Sequence, residues 1–125
     1  MGAQGPVYRL LQESLRQGFE LRETDLATGQ VPGDADLLLV LGPEDLDTKQ
    51  QFAIDQFLMQ GGTVLVAASR FHVDLGGGTI TARPQATGLE EWLEHQGLGL
   101  APLLVLDPQN TPFPIPVQRN LGGFV

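Results

Sequence analysis

Ser69, Arg70, His72, His95 and Asp107 are the side chains whose types could support chemistry, with Gly42 and Pro43 as the backbone positions that would make room beside them. A serine with a histidine and an aspartate supplies the parts of a nucleophile, a base and an orienting carboxylate. Here the serine lies in Ala67-Ala-Ser-Arg-Phe71, which is no G-x-S-x-G elbow, and the spacing in sequence gives the trio no support. Arg70 is the stronger candidate. A guanidinium at a strand end can clamp a carboxylate or phosphate, or it can form an ion pair with a local Asp or Glu. His72 and His95 have no neighbouring ligand pair and read as surface or rim histidines rather than zinc ligands. Glu44, Asp45 and Asp47 cluster like calcium ligands, but the glycine and closing glutamate of an EF-hand are missing, and helix capping explains them more simply. Gly76-Gly77-Gly78 lacks the following lysine and serine of a phosphate loop and reads as a hairpin turn. With no cysteine, thiolate catalysis, disulfides and cysteine metal sites are excluded. The residues assign no catalytic group, no metal and no cofactor; what they offer is a candidate ligand site at Gly42, Pro43, Ser69, Arg70 and Asp107.

Such a site needs a parallel sheet, because ligands in open α/β sheets sit at the carboxyl ends of the strands. The stretch from Asp36 to Ala68 supplies one: an apolar strand (Leu37 to Leu41), a helix, a Gly61-Gly62 break and a second apolar strand (Val64 to Ala67). This is the pattern of a βαβ unit buried on both faces. Asp47 or Thr48 caps the helix, Phe52, Ile54, Phe57 and Leu58 share its inner face, and Gly61 ends it. Upstream, the spacing predicts a helix over Pro6 to Gln17, a strand over Phe19 to Leu26 and a loop over Ala27 to Ala35. Downstream, it predicts a hairpin or a flexible flap from Phe71 to Leu75 and Thr79 to Ala82. There follow a helix from the Thr87/Glu90 capping box to about Gln96, with Leu89, Trp92 and Leu93 inward, and a strand over Leu103 to Leu106. Trp92 is a packing residue on this reading.

The 125 residues suit one domain, 1–125, and a hydrophobic content of 42% is enough for a core. Residues 107–125 form a Pro-rich extended tail, in which Phe113-Pro-Ile-Pro-Val117 is either a segment shown to a partner or a connector of the complete domain. A net charge of −8 with a single lysine, Lys49, repels phosphate backbones and anionic headgroups, which argues against nucleic acid and membrane-surface binding. No run is apolar enough to span a membrane. Only Met1 to Gly5 precede the first helix, where a doubly wound sheet normally opens with a strand, so the expectation is a fragment lacking its first strand. A sheet short of a strand invites homodimerisation.

Five runs together carry a resemblance: Phe19-Glu-Leu-Arg-Glu-Thr-Asp-Leu26, Asp34-Ala-Asp-Leu-Leu-Leu-Val40, Gly42-Pro-Glu-Asp-Leu46, Ala53-Ile-Asp-Gln-Phe-Leu-Met-Gln-Gly-Gly-Thr-Val-Leu-Val66 and Leu104-Val-Leu-Asp107. From about Tyr8 to Val117 the chain resembles the soluble domain of GldG-like auxiliary components of ABC-type transport systems. The resemblance implies a three-layer α/β fold with a mostly parallel sheet, similar to flavodoxin-like and class I glutamine-amidotransferase-like domains and related to intraflagellar-transport domains. It implies a domain held outside the cytoplasmic membrane (periplasmic) by a membrane-anchored full-length protein, alongside an ABC permease and its ATPase, in some bacteria in gliding motility. Amidotransferases of this fold use a cysteine on the turn after a strand; Ala67-Ala-Ser-Arg-Phe71 has none. The expected role is therefore a non-catalytic interaction domain, with binding of a sugar or anionic solute as the alternative.

Overall fold

The computed structural model describes residues 8–112. Helix α1 (Arg9–Leu15) comes first, followed by strand β1 (Leu37–Leu41), helix α2 (Thr48–Met59) and strand β2 (Thr63–Ala67). Strands β3 (Phe71–Asp74) and β4 (Thr81–Pro84) and helix α3 (Glu90–His95) complete the order. β1 and β2 pair in parallel with Leu37 beside Thr63 and Leu41 beside Ala67, so the central βαβ unit is formed as its apolar strands imply. β3 and β4 form a separate antiparallel pair around the glycine turn. The class is α/β with two small sheets. The continuous, mostly parallel sheet of a three-layer flavodoxin-like domain is not present among the described residues.

Helix α2 organises the core. Asp47 caps it, its carboxylate accepting from Gln50 N at 2.8 Å, while the Gln50 side chain accepts from Asp47 N at 3.0 Å. The two bonds satisfy opposite ends of the first turn reciprocally. At the other end Gly61 takes φ +92, and Gly62 runs so close to the Phe57 ring that a Cβ there would collide with it. Ala53, Ile54 and Phe57 of α2 pack with Leu38 and Val40 of β1, with Leu26, and with Leu89 just before α3; Val31, Ala35, Leu46, Val64, Val66, Trp92 and Leu93 pack around them. Trp92 Nε1 donates to Asp55 Oδ1 at 3.0 Å, which fixes the indole as a packing residue with its polar edge satisfied.

Several expectations need correction. Phe52 does not share the inner face of α2 and is exposed. Phe19 to Leu26 is not a strand. Thr24 Oγ1 accepts from Leu26 N, Asp25 Oδ1 accepts from Ala27 N, and Leu26 turns at φ +58 to reach the core. These local side-chain bonds compete with a ladder and win. Arg22, bonded to Asp34 at 2.7 Å and Glu20 at 3.2 Å, straps the segment to the following loop, and those bonds push its guanidinium pKa up. Leu103 to Leu106 is not a strand either: Leu103 N donates to Ala101 O around Pro102, and the run stays exposed. The capping box before α3 is half as expected. Glu90 reaches back to Thr87 N at 2.8 Å, but the Thr87 hydroxyl accepts from Leu89 N instead of Glu90 N. The tail is irregular over 107–112; Phe113 to Val117 and Pro6 to Val7 lie outside the described residues.

Candidate functional site

The carboxyl ends of β1 and β2 do meet, because the register sets Leu41 beside Ala67. Gly42 continues the pairing by one step, its N–H donating to Ala67 O at 2.8 Å. Its φ of +54, and the Tyr8 hydroxyl 2.7 Å from where a Cβ would stand, favour glycine here. Pro43 is buried behind it. The chain then passes along the approach to α3: Asp45 N donates to Ala86 O and Leu46 N to Thr87 O, both at 3.1 Å. Gln51 of α2 closes this seam from below, its amide donating to Leu46 O and Gly88 O. Gly88, at φ +81, has no room for a Cβ against the Leu46 backbone.

Ser69 and Arg70 stand at the end of β2, where Gln85 ties them down. Gln85 N donates to Arg70 O at 2.8 Å and its side chain to Ser69 O at 3.3 Å. The Arg70 guanidinium lies 3.9 Å from Glu90 Oε1, and His72 Nδ1 lies 3.5 Å from Glu44 Oε1. Burial works to raise the Glu90 pKa. The donors from Thr87 and Glu90 N–H, the Thr87 hydroxyl and Gly88 N–H outweigh it and hold the carboxyl below its ordinary value. Glu90 is therefore the carboxylate that both caps the turn into α3 and faces Arg70.

The structure thus brings together Gly42, Pro43, Ser69 and Arg70 and leaves Asp107 out. No strand ends at Asp107; its carboxylate accepts from Gln109 N at 2.8 Å in its own turn. The serine trio is not assembled. Ser69 Oγ accepts from Phe71 N, His72 faces Glu44, His95 Nδ1 lies 2.8 Å from Glu91 O, and none of these groups bonds another. Arg70 takes the local ion pair with Glu90, the alternative to clamping a solute. No group of three or more His, Asp or Glu among the described residues could hold a metal. Gln51, Gln85 and the Glu44–His72 pair escape sequence reasoning, because neutral amides and long-range pairs leave no spacing to read. Thr87 and Glu90 carried a signal, the T-x-x-E box.

A second feature lies on the other flank of β2. An open groove of about 590 Å³ is lined by Leu58, Val64, Val66, Trp92, Leu93 and Leu98, among others. Its lining is mostly apolar, with Gln96 among it, so it offers surface for burial. No described helix is long and apolar enough to cross a membrane. A family model described as an ABC-type uncharacterized transport system matches residues 4–124. No curated protein and no solved structure matches.

Proposed function

Because the chain belongs to this ABC-type transport-system family, as an auxiliary component, we propose that it is a non-catalytic interaction domain within the transporter assembly. The family match over nearly the whole chain is the observation that carries this reading. The structure adds two supports. Polar groups at the strand ends are engaged with one another, and large apolar side chains such as Leu65, Val105 and Leu106 stay exposed. On this reading the partners are an ABC permease and its ATPase, and the domain is of GldG-like type, extracytoplasmic, in a membrane-anchored protein. A gliding-motility system is one setting for it. The complete domain is a three-layer, flavodoxin-like or amidotransferase-like fold, whose further layer would cover the sheet face bearing Leu37 and Leu65. Self-association belongs to the same reading, since both outer edges of the β1–β2 pair lack a strand among the described residues.

Affinity capture of the full-length protein from detergent-solubilised source membranes, read by mass spectrometry, tests it. Enrichment of a permease and an ATPase of one ABC system is the expected result. Enrichment of neither above an untagged control would overturn the assignment of partners.

A further inference from the structure

Residues 103–106, Leu-Leu-Val-Leu, have the composition of a buried strand and the exposure of a loop. Val105 is 93% exposed and Leu106 88%. Such a continuous apolar run reads as a strand buried on both faces and costs free energy where it stands in water. Elsewhere in the same molecule is what it lacks. β2 pairs on one side only, with β1 and, one step beyond it, Gly42, and no backbone bond among the described residues reaches its other edge. We propose that Leu103–Leu106 is a donated strand, which pairs with the free edge of β2 in a second copy of this chain, reciprocally. This rests on the self-association proposed above and is independent of the transport role.

Three observations favour a second copy over the chain's own edge. The first is the turn at Pro102. Leu98 and Leu100 still line the groove beside β2, but the bond from Leu103 N to Ala101 O at 2.8 Å bends the chain away immediately afterwards. A proline in that turn has no N–H to give to a ladder and restricts the residue before it to extended conformations. A short, stiff connection followed by an unpartnered strand is the arrangement from which reciprocal exchange proceeds. The second is charge. The chain carries −8, so two copies repel, yet no charged residue occurs from Gln56 to Ser69 or from Gln96 to Leu106. Copies can therefore approach along these two stretches. The third is fit. At about 3.3 Å per residue the run spans roughly 13 Å against roughly 17 Å for β2, so the donated strand lies within the length of the edge. Exchange also carries the apolar run across the mouth of the groove, extending the buried surface beyond the backbone ladder.

Light scattering after gel filtration, over a range of concentrations and at low and high salt, tests the proposal on the chain as it stands and on Val105→Asp. The wild type should form a dimer that tightens with salt as the repulsion is screened. Val105→Asp should weaken it at least about tenfold, because dimerisation would then bury a charge. Its circular dichroism should match the wild type, since the residue is exposed in the monomer. A dimer of undiminished affinity in Val105→Asp would overturn strand donation while leaving self-association standing. A wild type that is monomeric at every concentration would overturn both. A mixture of the single-cysteine variants Val105→Cys and Leu65→Cys adds an independent readout. A disulfide joining the two variants supports exchange, whereas disulfides only within each variant oppose it.

Discussion

Leu38, Val40, Val64 and Val66 on one face of the parallel pair differ little in type from Leu37, Leu39, Leu41 and Leu65 on the other. The first set lies against α2 and the residues around α3. The second is left largely open, with Leu37 47% and Leu65 50% exposed. Alternation in sequence cannot separate the two, because both faces read as apolar, as in a strand buried on both sides. The closed face has a capped helix and a core. The open face, like the exposed Leu103–Leu106 run, has the composition of a core but nothing across it among the described residues. That asymmetry is what an interaction domain presents when seen alone, and it locates the stability of the isolated chain in one half of the molecule.

The contrast can be broken by substitution. Ile54 is fully buried under the closed face, and Ile54→Ala should cost about 2–5 kcal/mol in chemical denaturation, whereas Leu65→Ala on the open face should cost about 1 kcal/mol or less. Equal losses would mean that the two faces are equally packed. Gly88→Ala should cost about 1–3 kcal/mol or more, since its left-handed backbone and the Leu46 backbone leave no place for a methyl group; a neutral result would contradict the seam at the strand ends. Asp47→Ala removes the helix cap and should cost about 1 kcal/mol, measured as a shift in denaturation midpoint. The smallest effect is that of pH. The Glu90 carboxyl is held below its ordinary value in the folded chain, so its contribution is fully present above that ordinary value and disappears as pH falls through the folded one. Glu90→Gln should flatten the stability profile over that acid range and leave its neutral-pH slope unchanged.

How much of this was legible follows from where each signal lives. The βαβ unit, the Asp47 cap, the Gly61 stop and the glycine hairpin are local, and each was readable from a few adjacent residues. Phe19 to Leu26 misleads because alternation is also compatible with a coil whose Thr24 and Asp25 side chains bond its own backbone. Leu103 to Leu106 misleads for the opposite reason. Its composition is that of a strand, but a strand exists only with a neighbour, and the turn at Pro102 withholds it. Gly42, Pro43, Ser69 and Arg70 follow the ends of β1 and β2, a position readable from the sequence because strand ends are local. Asp107 follows no strand end, because its place depended on the strand that does not form. The partner that Arg70 takes, Glu90, sits twenty residues away and could be named only as some nearby acid.

Hydrogen exchange on the dilute chain and on the same domain within the assembly captured from membranes tests most directly the claim that the open half is the half that binds. Slow exchange at Leu38 to Val40 and Ala53 to Phe57 in both samples, with residues 98–106 and the β2 amides on the edge away from β1 fast in the dilute chain and slowed in the assembly, is the predicted result. Unchanged exchange of β2 and residues 98–106 on assembly, or protection gained only across the closed half, would contradict it.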